Sequence, residues 1–372
     1  MDSTRGTGAL ERMTPGTKTR WRRDIAINLI LVLAAVVVPL VALELYLAWD
    51  NRRPTVPLTT VELDGQKYPF EESADALSDL HNKAVIVGDS FTAGAACGLA
   101  GSYPGRLDRL LAQHGETYRV LNLGVPGSDP FMYLRLIEGL LHSGRVPSLV
   151  VVTLFSNDIE LTCSSCQYLG RIRRDSSFTP DEITRLTSFC GNCWRANDTP
   201  TAHYSVIRRI HTWLVDKSYA YVLLRDGLVG LSMKLGFNVG WGRTAYPPQW
   251  RSHQGIEFKM LRFALAGIRD ALKARGVSRM MVVIYPDMEN VRRENEYVSI
   301  YGDAEAELSR ALGVPVWSGY PAFLDSPESK PNMSYSLVDH HPSCKAHELF
   351  AKGVYLRMQQ AGYVTPPSAA HP

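Results

Sequence analysis

Val85-Ile86-Val87-Gly88-Asp89-Ser90-Phe91 decides the fold: an apolar run of strand length stops on a Gly-Asp-Ser turn. Three further segments repeat that context or complete it. Asn122-Leu123-Gly124 closes an apolar run over 118–123, and Ser156-Asn157-Asp158 follows another over 149–155. Late in the chain, Asp339-His340-His341-Pro342 supplies a carboxylate and imidazoles. In a parallel sheet the carboxyl ends of the strands gather along one edge, where open α/β folds place their ligands. That edge would bring together a hydroxyl nucleophile, oxyanion donors and a base.

On these residues the chain resembles the SGNH subgroup of the GDSL esterases and lipases, named for its Ser, Gly, Asn and His blocks. The matching positions are Ser90, Gly124, Asn157 and His341, with Asp339 two residues before the histidine. The resemblance covers roughly residues 82–164 and 277–362, while the middle of the chain carries no family motif. It implies a flavodoxin-like three-layer α/β/α fold with a five-stranded parallel sheet, and Ser-His-Asp covalent catalysis of ester cleavage that needs no cofactor. One departure is local: Ser156 stands where family members commonly have glycine.

The residue types fit that chemistry. A serine hydroxyl is a weak nucleophile at neutral pH and needs a base. His341 would take the Ser90 proton and return it to the leaving alcohol, with Asp339 fixing the tautomer and stabilising the imidazolium. An Asp-x-His spacing lets both side chains leave a loop on the same side, which favours His341 over His340. Ser90 and Gly124 would offer backbone N–H groups to the oxyanion, and Asn157 its side-chain N–H. Asp89 and Asp158 read as loop-stabilising residues. Taken one at a time, such a serine, glycine or Asn-Asp pair is ordinary turn or cap chemistry.

The strands alternate with helical patterns, which predicts a parallel sheet covered on both faces. Leu261, Leu265, Ile268 and Leu272 lie on one helical face, and Gly276 ends that helix. Strands are expected at 84–87, 118–123, 149–155, 280–285 and 314–317, and a C-terminal helix after Pro342. Between 160 and 252 the alternation breaks down into an inserted, partly helical subdomain, with helical stretches at 206–214 and 219–235. Arg225, Asp226 and Lys234 argue against the second of these crossing a membrane.

The domain at 82–364 is preceded by a cytoplasmic arm (1–24), an anchor (25–49) and a tether (50–81), and is followed by a tail (365–372). Residues 25–43 are apolar except for Asn28, long enough to cross a bilayer core of about 30 Å. Lys18, Arg20, Arg22 and Arg23 precede the run, which puts the N-terminus in the cytoplasm and the domain outside. A cleaved signal would be shorter and end in a small-x-small site, which Val41-Ala42-Leu43-Glu44 does not offer. A net charge of +3 with 21% charged residues gives no sign of nucleic-acid binding.

Six cysteines complete the inventory. Cys163-x-x-Cys166 and Cys190-x-x-Cys193 have the spacing of a four-cysteine zinc site, and equally that of two disulfides outside the cytoplasm. Cys97 and Cys344 would flank the active-site edge as a further pair. The expected function is a membrane-anchored extracytoplasmic esterase acting on an acylated carbohydrate or small ester. The glycan preference comes from the resemblance and the membrane location alone. The same triad would serve an O-acyltransferase modifying an envelope polysaccharide. The intact Ser, Asn, Asp and His set argues against a non-catalytic glycan-binding module.

Overall fold

The computed structural model describes residues 15–52, 58–63, 65–73, 75–94, 96–198, 213–215, 217–234, 252–286, 294–324, 333–335 and 341–365, with 210, 250 and 326. Two sheets organise them. The larger has five parallel strands: β3 (Lys83–Gly88), β4 (Arg119–Gly124), β5 (Leu149–Leu154), β6 (Met280–Ile284) and β7 (Val316–Ser318), in the order β4-β3-β5-β6-β7. This is the flavodoxin-like order. The register aligns Gly88 with Gly124, Val87 with Val152, and Leu154 with Ile284, so the strand ends that carry the candidate blocks form one edge.

Apolar strands of this kind bury both faces. Val85, Val87, Val150 and Val152 pack on one side against Leu134 and Ile137 of the Pro130–His142 helix and Leu261, Leu265 and Ile268 of the Ile256–Lys273 helix. Ala84, Ile86, Val151 and Val283 face the other side, against Leu107 and Leu111 of the Tyr103–Gln113 helix and Phe350 and Val354 of the Cys344–Gln360 helix. Each fully buried branched side chain contributes about 1.5–3 kcal/mol. Caps fix where these helices begin. Asp129 accepts from the Phe131 and Met132 amides, and Ser343 accepts from the Ala346 amide.

The fifth strand starts two residues later than expected, because Pro315 has no N–H for the ladder. The stretch read as a tether holds a second sheet, the antiparallel hairpin β1 (Thr59–Leu63) and β2 (Gln66–Phe70), turning at Gly65 with φ 71°. Tyr68, Phe70, Leu77 and Leu80 join the main core. The Glu72 carboxylate accepts from the Asn122 amide and Asp108 from the Val120 amide, which blunts the open edge of β4. Ahead of the hairpin, the Pro15–Asp50 helix contains the candidate membrane span Ala26–Asp50, none of it buried in its most apolar window.

In the insertion, the Pro180–Asp198 and Tyr219–Lys234 helices are present, the latter within one residue of its expected end. Most of the helical stretch expected at 206–214 lies outside the described residues, as do Asp339 and His340.

Candidate active site

β3 ends at Gly88 because the chain must turn at once: a Cβ there would lie 2.0 Å from Thr92 Oγ1. The Asp89 carboxylate then caps the short Ser90–Ala93 helix by accepting from the Phe91 amide at 2.9 Å. Ser90 is left partly exposed at the sheet edge, the first residue of that helix. Its Oγ lies 2.9 Å from Nε2 of His341, so the two candidates 251 positions apart are brought together. The histidine loop is held from several sides. Tyr335 N–H donates to the His341 carbonyl at 2.7 Å, Ser334 bridges Pro342, and the His341 ring lies 5.2 Å from that of Phe91. A disulfide between Cys97 and Cys344 ties the segment after the nucleophile to the helix after the base, with a Cα separation of 5.5 Å.

The two oxyanion candidates fare differently. Asn157 is exposed on the Ser156–Ile159 turn, one strand over from Ser90, while Ser156, Asp158 and Ile159 on the same turn are buried. Three contacts fix the turn from below. Asp158 accepts from the Phe155 amide at 2.6 Å and from the Tyr133 hydroxyl at 2.9 Å. Trp250, wholly buried, donates its indole N–H to the Ser156 carbonyl at 2.7 Å. The Phe155 ring stacks on Phe91 with centroids 3.6 Å apart.

Gly124, by contrast, donates its N–H to Oδ1 of Asn122 at 3.0 Å. Its place in the site is steric: a Cβ there would sit 2.4 Å from the Ala93 amide nitrogen, so only glycine lets the Ser90 turn pack on β4. The exposed glycine of this loop is Gly127, at φ 75°, whose amide donates to nothing among the described residues. Gly127, on the loop after β4, and Trp250, bonded to the Asn157 turn, are residues that the sequence reading did not pick out. A Gly-Ser-Asp triplet after a strand was the signal for the first. Nothing local marks the second.

Burial sets the charges under this edge. It pushes the Asp89 carboxyl up to about 6, against the Phe91 hydrogen bond and the nearby His341. Burial, with Asp89 as a like-charged neighbour, pushes Asp158 well above the usual carboxylate range. His347, wholly buried at the start of the C-terminal helix, is pushed down to about 3 by burial and by the adjacent Arg106 and His341. Its Nδ1 lies 3.4 Å from the Tyr285 hydroxyl.

The four insertion cysteines pair as Cys163–Cys193 and Cys166–Cys190, and among the described residues no group of His, Cys, Asp or Glu could hold a metal. Disulfides therefore replace zinc as the reading of this cluster. The pairing is nested because both Cys-x-x-Cys segments are helical and meet antiparallel. The stapled unit docks on the Pro130–His142 helix: Ser164 donates to Asp129 at 2.6 Å, and Tyr168 and Arg171 both bond Glu138.

Residues 86–349 match the model of the GDSL-like lipase/acylhydrolase family, a span that includes Ser90, Asn157 and His341. Among solved structures, the chain is similar to a lipase/acylhydrolase from Enterococcus faecalis, 16% identical over 77% of this chain and 99% of that one, with a TM-score of 0.39. It is also similar to a two-domain esterase active on acetylated mannans (11% identity, 80% and 54% covered, TM-score 0.40). An acetyl-xylooligosaccharide esterase from Geobacillus gives 14% identity, 74% and 93% covered, and a TM-score of 0.38. Among curated proteins no sequence matches the chain.

Proposed function

This chain belongs to the GDSL-like lipase/acylhydrolase family and is a serine hydrolase of ester bonds, and from that premise we propose that Ser90 is its nucleophile and His341 its base. The observation that carries the assignment is the 2.9 Å contact between Ser90 Oγ and His341 Nε2 at the carboxyl edge of the sheet. Ser90 Oγ attacks the ester carbonyl as His341 takes its proton. The negative charge that develops on the carbonyl oxygen is met by the Ser90 amide, the Asn157 side chain and the Gly127 amide, each such donor worth about 2.7–4 kcal/mol in the transition state. We assign Gly127 in place of Gly124 because the Gly124 N–H is already given to Asn122. His341 then protonates the leaving alcohol, and water, activated by the same imidazole, hydrolyses the acyl-enzyme. Asp339 is assigned to orient His341 from its place two residues earlier in the chain.

The domain is proposed to work outside the cytoplasm, held by the N-terminal helix. Two independent features support this: the basic residues ahead of the apolar run, and three disulfides, which persist in oxidising compartments. The substrate is proposed to be an acyl or acetyl ester carried on a glycan. Folded protein should react with a fluorophosphonate probe at Ser90 and should release acetate from an acetylated oligosaccharide as well as from a small aryl ester. No labelling of folded protein would reject the nucleophile. Cleavage of the aryl ester alone would reject the glycan.

A further inference from the structure

The Pro15–Asp50 helix does not stand alone at its C-terminal end. The Glu44 carboxylate accepts from Ser218 Oγ at 3.0 Å and from the Tyr219 and Ala220 amides at 2.8 Å each. Those amides open the Tyr219–Lys234 helix, where backbone donors lack partners within the helix and a negative charge is favoured. Leu47, one turn beyond Glu44, is wholly buried, and Leu43 and Ala48 are half-buried. Positions 43, 44, 47 and 48 share one helical face, so one face of the anchor's end is covered by the insertion. Its other faces stay open, with Leu45 67% and Trp49 62% exposed.

Twenty residues from Ala26 reach Leu45, about 30 Å at 1.5 Å each, which is the thickness of a bilayer core. Glu44 therefore falls at the core boundary, and Tyr46 and Trp49 at the level of interfacial aromatics. The Tyr219–Lys234 helix starts at that same level. Leu224 and Leu228, one turn apart on it, are 53% and 66% exposed, and Trp213 just ahead of it is 61% exposed. Left in water, side chains of this size each forgo about 1.5–3 kcal/mol of burial.

Resting on the reading of the N-terminal helix as an anchor, we propose that the Tyr219–Lys234 helix lies in the bilayer interface beside it, with Trp213, Leu224 and Leu228 set into lipid. The partner of this surface is the membrane itself. Continuity argues for it: the helix is capped by a side chain of the anchor, so its exposed leucines belong to an element that begins at the level of the bilayer boundary. Arg225 and Lys234 in its sequence count against a crossing helix, where each would cost about 2.5–3.5 kcal/mol at the core. A domain held only by the anchor would swivel. Two attachments fix the orientation of its active-site edge to the bilayer.

The test uses the full-length chain in phosphatidylethanolamine/phosphatidylglycerol vesicles. Single cysteines are placed at Val32→Cys, Leu228→Cys and Leu356→Cys and labelled with an environment-sensitive fluorophore, the six native cysteines being paired in disulfides. Val32 reports the anchor, and Leu356, an exposed leucine of the catalytic domain, reports water. The label at 228 should be quenched by brominated lipid more than by iodide, as at 32, with the reverse at 356. Dominant iodide quenching at 228, with 32 still in lipid, would overturn the proposal and leave the anchor standing. Shielding at 228 from both quenchers would also overturn it, in favour of a protein partner or second copy. Lipid-independent fluorescence at 32 would remove the anchor reading and the proposal with it.

Discussion

The five-stranded sheet and the insertion at 160–252 are held by different physics. All six residues of β5 are buried, and the sheet is sealed by branched side chains with no covalent link within it. The stapled part of the insertion adds covalent links to its burial: Tyr168, Leu169, Ile172 and Phe178 join the main core. Among the residues of the Pro180–Asp198 helix whose burial is described, Leu186, Cys190 and Cys193 are the buried apolar ones, and two disulfides hold that helix in place. The proposed chemistry draws on the first region, on turns that follow β3, β4 and β5 and on the loop before the C-terminal helix. Among the described residues the insertion bonds these turns through Trp250 to Ser156 and through Ser164 to Asp129. Substitutions at the sheet edge should therefore change rate, and substitutions in the insertion should change stability.

The largest expected effect lies at the nucleophile and base. Ser90→Ala and His341→Ala should each lower kcat by on the order of 10⁴–10⁶-fold, and the double variant by no more, because such residues act as one unit. Melting temperatures should stay near wild type. His340→Ala should retain most of its activity, since His341 is the imidazole that meets Ser90. Steady-state hydrolysis of one good ester by these variants decides it. Equal losses at 340 and 341 would break the assignment.

Next comes the turn that carries Asn157. Asn157→Ala should lower kcat by about 10²–10³-fold with little change in KM, the mark of a contact made in the transition state. Trp250→Phe keeps the ring and removes the N–H that holds Ser156, so it should act in the same direction, by about tenfold or less. If Trp250→Phe lowers the melting temperature and leaves kcat untouched, the two regions are separate in function as well as in construction.

How much of this was legible in the chain follows from the range of the interactions. The strands were readable because burial on both faces writes a continuous apolar run, and the Gly88-Asp89-Ser90 turn because it ends such a run. β2 was not, since Pro69, Gln66 and Lys67 mask it and its pairing with β1 alone tolerates a proline. Gly124 was named for its position, but position does not say where an amide points. That is set by Asn122, whose side chain also bonds the Thr92 and Ala93 carbonyls. The Cys-x-x-Cys pairs carry the same spacing for zinc as for disulfides, and the antiparallel meeting of two helical segments separates them. Trp250 meets a residue 94 positions away, and no periodicity records such a contact.

The disulfides give a smaller effect, one of stability. Replacing Cys163, Cys166, Cys190 and Cys193 by serine should cost about 2–4 kcal/mol per bridge. Turnover per folded molecule should stay near wild type, measured by denaturant melts alongside active-site titration. A loss of turnover without a loss of stability would place the insertion inside the catalytic machinery and undo the contrast between the regions.

The smallest expected effect is a slope against pH, and it comes from the core. His347 has a folded pKa of about 3, below its unfolded value, so the stability it contributes is present above about 6.5 and declines as pH falls toward 3. Asp89 has the opposite sign. Its folded pKa of about 6 lies above the unfolded value, so its contribution is full below about 4 and is lost as pH rises through 6. Between about pH 4 and 6 the His347 slope opposes that of Asp89, to which the likewise raised Asp158 adds, so wild type should gain stability modestly as pH falls there. His347→Leu removes the first slope, so its melting temperature should rise as pH falls across that window. Asp89→Asn keeps an acceptor for the Phe91 amide and removes the Asp89 slope while that of Asp158 remains, so its melting temperature should rise less than wild type's as pH falls. Each slope corresponds to a few kcal/mol at most over the window. Melting curves of the three proteins from pH 4 to about 7 read it directly, and the same slope in both variants would mean that neither buried group titrates as its surroundings require.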